Sequence, residues 1–219
     1  MKDLIIVGGY GSGEIAAQVF CDINNVKKTW NIVGYLNDII NPGDYLGKHK
    51  VVGATNEIQY FIDKGYYIHY TLHYNAKHKL ERTKKLKGLK IPEEQLATGI
   101  HPLAYVNPES TIGNGVLMLP YSSTSVGVEV QNNVHIYAYG FLGHDSKVRQ
   151  YSTITAKSIV GGRVIIGEGA HVGLNSSIRE DVKIGEYAII GMGSIVLKNV
   201  ASHSVVVGNP AKQINITNK

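Results

Sequence analysis

The chain has 219 residues, a single cysteine and no long hydrophobic run. One thiol, Cys21, excludes an internal disulfide framework. Its setting in an apolar helical stretch reads as a buried structural group. The apolar start, Leu4–Val7, is four residues long before glycines interrupt it. That excludes a signal peptide or membrane span there, and the cytoplasm is the expected compartment. Charge of one sign is scarce: 22 Lys and Arg against 17 Asp and Glu leave a formal +5. So small an excess suits anionic small molecules and does not single out nucleic acid. The basic run Lys77–Lys90 has no interleaved aromatics and reads as a solvated helix face. With 43% hydrophobic and 18% charged residues, bulk disorder is excluded and a packed core is expected.

What is present falls into two textures. Residues 1–100 alternate strand and helix signals: strands at 4–7, 31–36 and 65–71, a helix from about Gly13 to Ile23, and an exposed helix at 76–88. Alternation of this kind predicts a small parallel α/β domain. Residues 101–219 form the second expected domain, and most of it is a repeat. Counting in sixes from Val106 to Val196, fifteen of sixteen positions are aliphatic or Met, Thr124 being the exception. Four residues further on, from Ser110 to Ser194, every position is small or Val.

A fixed period of this kind marks a solenoid, and six residues fit no helical face. The small residue lies two before the next aliphatic one, so in a strand the two share a face. Each hexad then supplies one short strand with its aliphatic residue inward. Three hexads close a triangular coil of eighteen residues, and coils stack at roughly 4.8 Å. Glycines directly after the aliphatic position, as at Gly113, Gly167, Gly173, Gly185 and Gly191, are expected to supply the corner conformations.

Over about residues 102–213 the pattern resembles the hexapeptide-repeat acyltransferases. The resemblance implies a left-handed parallel β-helix that trimerises, although the general crossover rule favours the other hand. The segment Val205–Lys212, VVVGNPAK, resembles the closing motif of that superfamily. It implies contacts to CoA from Gly208, Asn209, Pro210 and Lys212. Together with the Gly-rich α/β half and the junction Gly99–Pro102, the chain is similar to sugar acyltransferases of the sialic-acid and bacillosamine type. That similarity implies a Rossmann-like first domain for a nucleotide-linked sugar. It also implies an acetyl-CoA-dependent homotrimer acting on a UDP-, dTDP- or GDP-linked 4-amino sugar. O-acetylation of a sugar such as sialic acid is the alternative, and a non-catalytic solenoid scaffold is the rival from another class.

Forming an amide from a thioester needs a base for the amine and a donor for the developing oxyanion. The resemblance assigns the base to His144, its orienting acid to Asp145, and the oxyanion amide to Gly162, eighteen residues after the histidine. Adjacent strand residues point apart, so Asp145 reaches His144 only if the backbone turns there. Arg163 stacks above Asp145 by the same arithmetic, and either pairs with that acid or touches CoA phosphates. Some relatives have a second histidine nine residues after the base, where this chain has Thr153.

In the first half, Gly8-Gly9-Tyr10-Gly11-Ser12-Gly13 follows a strand and opens a helix, a place that favours phosphate. The strict dinucleotide fingerprint fails, because Glu14 stands at its third glycine, so NAD is not expected. The resemblance assigns Gly8, Gly11, Ser12, Gly13, Asn37 and Asp38 to the substrate. His135 and His171 lie thirty-six residues apart, the spacing of zinc ligands in the gamma-type carbonic anhydrases. The third ligand would fall on Ser176, so no metal is expected, and the two are expected on the outer face or a trimer interface. His69 and His73 show no constellation around them.

Overall fold

The structure, a computed structural model, describes residues 1–74 and 76–216; residues 217–219, the end of the second expected domain, lie outside the described residues. The N-terminal half is one five-stranded sheet with helices on it. Its strands are β1 (Lys2–Val7), β2 (Trp30–Leu36), β3 (Tyr45–Leu46), β4 (His49–Gly53) and β5 (Tyr67–Tyr70). Leu4, Ile5, Ile6 and Val7 are fully buried, because β1 has packed elements on both faces. Helix α1 (Ser12–Val26) lays Ala16, Val19 and Phe20 on one side, and α2 (Ile58–Asp63) lays Ile58, Phe61 and Ile62 on the other. The β3–β4 hairpin and α2 carry no signal read from the sequence.

Strand order is β3-β4-β2-β1-β5, parallel except for β3 against β4. Direction along the sheet reverses at β1, which has β2 on one side and β5 on the other. In open α/β sheets the crevice at such a switch point is where ligands bind.

From Thr111 to Val196 the chain forms two-residue strands every six residues, stacked in three parallel sheets. Register partners stand eighteen residues apart, as in Phe141↔Ile159, Lys147↔Ile165 and His135↔Thr153. Of the inward residues, Val116, Met118, Val128, Ile136, Leu142 and Val160 are fully buried or nearly so. Three of the inward serines are satisfied by the next coil: Ser152, Ser158 and Ser176 donate to the carbonyls of Gly167, Gly173 and Gly191.

The corners correct one expectation. The left-handed residue sits two positions after the expected glycines, and it is often not glycine: Tyr121 (φ 61°), Asn133 (56°), Asp145 (57°), Arg163 (59°) and Asp181 (64°) all adopt it. The glycines at 113, 167 and 173 serve closeness instead. A Cβ there would fall within 2.5–2.6 Å of atoms of the next coil. That coil-to-coil approach is what the small residue allows.

The N-terminal half lies on the outer face of one prism sheet, the one whose outward column is Leu117, His135, Thr153, His171 and Ile189. This corrects the reading of the histidines. His135 is on the outer face but wholly buried, with His69 stacked on it at 5.4 Å and His73 at 4.5 Å. Helix α3 (Lys79–Gly88) is also not a purely solvated face. Lys79, Thr83 and Leu86 are buried, and Lys79 Nζ donates to Thr153 Oγ1. Cys21 is half-buried, 3.7 Å from His49 Nε2, and burial pushes its thiol pKa up. At the far end, Ser204–Val207 joins the covered sheet and Lys212–Ile216 returns antiparallel to it. No helix among the described residues is long and apolar enough to cross a membrane.

Candidate active site

His144 stands third in its hexad, on the corner after strand Phe141–Leu142. The positive φ of Asp145 supplies the turn that adjacent strand residues lack. Its carboxylate swings back, and Asp145 Oδ2 lies 2.8 Å from His144 Nδ1. A carboxylate only accepts, so Nδ1 donates to it, and in the neutral ring Nε2 is the nitrogen with the lone pair. That is the tautomer a general base needs. The ring is 47% exposed, accessible from solvent in the single chain.

Gly162, one coil on, lies against the face of this ring. A Cβ there would collide with Nε2 and fall 2.8 Å from Cδ2 and 2.9 Å from Cε1. The Gly162 amide has no protein acceptor among the described residues, which leaves it free to donate beside Nε2. Arg163 does not pair with Asp145. It forms a two-pronged bond with Asp181, one coil above, at 2.7 and 2.8 Å. Its Nη1 lies 3.3 Å from His144 Nε2, as a donor facing a lone pair. The guanidinium hydrogen bonds hold the Asp181 carboxyl below its ordinary range, and Asp181 raises Arg163 in turn. Asp181 has no signal of its own in the sequence; it becomes visible only through the eighteen-residue column above Asp145 and Arg163.

The glycine loop is built tightly. A Cβ at Gly8 would overlap Thr71 Oγ1, one at Gly9 would fall 2.5 Å from Asn37 Nδ2, and one at Gly13 would fall 3.1 Å from Gly8 C. Gly11 faces open space and is required for its φ of 77°. Its amide donates to Glu14 Oε2 at 3.1 Å. Ser12 Oγ donates to Thr71 Oγ1 at 3.2 Å, tying the start of α1 to the end of β5 across the switch point. Asn37 is 8% exposed: its Nδ2 donates to Gly8 O, and its Oδ1 accepts from the amides of Ile39 and Ile40. Its side chain braces the loop. Asp38 accepts from the amide and hydroxyl of Thr55, both at 2.7 Å. Thr71 and Thr55, which no motif marks, complete this crevice.

The closing segment sits on top of the His144 sheet. Ile195 donates its amide to Gly208 O at 3.0 Å, and Ala211 donates to Ile195 O at 2.8 Å. Asn209–Pro210 is cis. Strand Ile195–Val196 is three coils above Phe141–Leu142. The closing segment pairs above that strand, so at the spacing of paired strands Gly208–Lys212 lies roughly 19 Å above the histidine. A groove of about 390 Å³ runs there, lined by Leu197, Lys198, Pro210 and Lys212 among others. The structure therefore brings together His144, Asp145, Gly162 and Arg163 on one corner, and Gly8, Gly11, Ser12, Gly13 and Asn37 in one crevice. It does not bring the two groups together. The crevice belongs to the half lying on the covered sheet, and His144 stands on the corner between the other two sheets. Among the described residues, no group of three metal-ligating side chains is arranged to hold an ion.

Residues 163–198 match the family described as bacterial transferase hexapeptide (six repeats), so the C-terminal half carries that repeat, and the left-handed winding is implied by it. Over 159 residues the chain is 35% identical to serine acetyltransferase 2 of Arabidopsis thaliana, a match covering 70% of this chain and 44% of that protein. Over 137 residues it is 29% identical to GDP-perosamine N-acetyltransferase of Escherichia coli O157:H7, covering 57% of this chain and 62% of the other. The chain thus spans less than two thirds of these relatives. Among solved structures, the acetyltransferase domain of PglB from Neisseria gonorrhoeae in complex with acetyl coenzyme A aligns with a TM-score of 0.84, at 21% identity, over 97% of this chain and 99% of that one. PerB from Caulobacter crescentus, in complex with CoA and GDP-perosamine, aligns with a TM-score of 0.83 at 20% identity over 98% of both chains. These likenesses show that both halves, in this arrangement, form a fold already known from solved structures.

Proposed function

We propose that this hexapeptide-repeat chain transfers an acetyl group from acetyl-CoA to the amine of a nucleotide-linked amino sugar, with His144 as general base. The observation that carries the reading is the corner itself. An imidazole is fixed by Asp145 with its Nε2 lone pair outward, and the free amide of Gly162 lies beside it. His144 Nε2 takes a proton from the attacking amine, and the Gly162 amide donates to the thioester oxygen as it gains charge. The tetrahedral adduct collapses to the amide and CoA thiolate, which takes the proton back from His144. Arg163 must leave Nε2 for the amine to approach. Arg163 and the Gly208–Lys212 segment are the groups assigned to CoA.

Residues 1–100 are read as a Rossmann-like domain binding the nucleotide through Gly8, Gly11, Ser12 and Gly13, with Asn37 and Asp38 at the second strand. Residues 101–219 are read as the acetyltransferase domain. Because the crevice and His144 belong to different faces, the reading requires a second copy. A trimer in which the exposed Phe141–Ile159 face packs on a neighbour supplies it. PglB and PerB, whose solved forms hold acetyl coenzyme A, and CoA with GDP-perosamine, support the donor and the substrate class. The serine acetyltransferase relatives are the observation that favours the second reading, transfer to a sugar hydroxyl.

A thiol-release assay with acetyl-CoA against UDP-, dTDP- and GDP-linked amino sugars, with sialic acid as the hydroxyl acceptor, tests both. Turnover with an amino sugar that falls about 10²–10⁴-fold in His144→Ala is expected. Turnover with no acceptor, or a variant as active as the parent, overturns the reading.

A further inference from the structure

The interface between the two halves holds a cavity of about 470 Å³ that none of the positions assigned above lines. Its floor is the outward column of the covered sheet, where His171 is followed by Ile189 and then Val205. Lys79 and Leu80 of α3 close one side, and Ile216 of the last strand closes another.

Its polar groups are unusual for a packing gap. Lys79 is 3% exposed and has no carboxylate partner among the described residues. Its ammonium donates to Thr153 Oγ1, on the strand that pairs directly with His171. His171 Nδ1 is buried and unbonded among the described residues. The acid preceding the cavity residue Gly169 is already engaged: Glu168 accepts from Lys87, from Gln150 and from the hydroxyl of the cavity residue Tyr187. Lys79 and His171 thus both line the cavity, and among the described residues no carboxylate lines it. Burying a cation without a counter-charge is expensive, and here burial pushes Lys79 down to about 7. His73 and His135, the other titratable groups around this lysine, are also driven toward their neutral forms by burial, so they supply no compensating charge.

We propose that this cavity binds a small organic acid, its carboxylate accepting from Lys79 Nζ and His171 Nδ1 and its apolar body lying on Leu80, Ile189, Val205 and Ile216. The volume is in the range of small-molecule pockets, and mostly apolar walls with a few polar groups are their usual make-up. Inorganic phosphate answers the donors but leaves the apolar walls empty. The occupant touches α3, the solenoid and the last strand together, so it stabilises the docking of the two halves.

Hexanoate is the probe, with hexanamide and inorganic phosphate as comparators, followed by calorimetry and by thermal unfolding of the full chain. Saturable hexanoate binding is expected at about 1 mM or below, with a rise in Tm. Both comparators bind at least about tenfold more weakly, and Lys79→Met loses hexanoate by the same factor or more. Should that variant fail to fold, Ile189→Trp, which fills the apolar part, must show the same loss. His144→Ala binds hexanoate like the parent, so this result and the acetyl-transfer result stand or fall separately. Absence of saturable binding, equal binding of either comparator, or unchanged binding in both cavity variants overturns the proposal.

Discussion

Two glycines on adjacent coils, Gly143 and Gly162, face different neighbours, and replacing each with alanine separates chemistry from folding. At Gly162 the new methyl meets the imidazole of His144, with carbons at 2.8 and 2.9 Å where ordinary contact starts near 3.4 Å. The ring is the end of a half-exposed side chain, so it moves rather than the backbone. It must shift by about 0.5–1 Å, and a misplacement of that size costs roughly 10²-fold in rate. Stability is expected to stay within about 0.5 kcal/mol, as for other changes whose strain is relieved at the surface. At Gly143 the methyl falls 2.6 Å from Gly161 C and Gly162 N, which are backbone and cannot yield. Overpacking of this kind costs about 1–3 kcal/mol, or roughly 2–10 °C in Tm for a chain of this size. The two readouts are kcat in the thiol-release assay and Tm by thermal unfolding. Gly162→Ala should lose rate and keep Tm, and Gly143→Ala should lose Tm. A Gly162→Ala variant with kcat within threefold of the parent, or with a Tm loss as large as that of Gly143→Ala, refutes the argument that this glycine exists to seat the ring.

Asn37→Ala removes one donor from Gly8 O and one acceptor shared by two amides. It should lower unfolding free energy by about 1–3 kcal/mol in denaturant melts, and an unchanged midpoint would show the loop is held by other means. Burial lowers His69 to about 4 and His73 and His171 to about 3, from an ordinary 6.5. The unfolded chain therefore takes up these protons near pH 6.5 and the folded chain does not. Stability is greatest above that pH and declines as pH falls toward 4, with His69 alone contributing on the order of 3 kcal/mol. Equilibrium melts from pH 7 to 4 should show the slope, and a flat profile contradicts a sealed histidine layer. Ile159→Asp places a carboxylate on the exposed Phe141–Ile159 face. Sedimentation should then show single chains in place of the proposed trimer, with acetyl transfer lost alongside.

The solenoid was legible because its physics repeats. One inward aliphatic residue and one small residue per hexad admit one register, and all three sheets keep it. The partnership of His144 with Asp145 was legible as a motif, but its geometry was not. It depends on the left-handed φ at Asp145, which tyrosine, asparagine and arginine also adopt at equivalent corners. No residue type marks that position, so the sequence pointed to the neighbouring glycines instead. Arg163 illustrates the same limit. Column arithmetic put it above Asp145 correctly, yet its partner is Asp181, one coil the other way, because the two acids flank it and the upper one offers both oxygens.

The outward positions hold a signal that the hexad count passed over, and it accounts for the buried histidines. Read every eighteen residues, the prism has three outer columns. One runs Thr111, Glu129, Lys147, Ile165 and Lys183 and carries charge, as a solvated face should. The second, Leu117, His135, Thr153, His171 and Ile189, has no carboxylate and no permanently charged group, and the N-terminal half covers it. A charge-free outer column on a solenoid is one that something else shields, since uncompensated burial of charge is what such a face must avoid. The third column, Ser123, Phe141, Ile159, Ser177 and Ile195, is equally free of charge, and among the described residues nothing covers Phe141 and Ile159, which stay exposed. By the reasoning that holds for the second, the third is the face proposed above as the interface between copies, and His144 stands at its edge. On the proposed function, the same uncovered face that leaves His144 exposed in one chain is the surface through which a neighbouring copy would bring its crevice to that histidine.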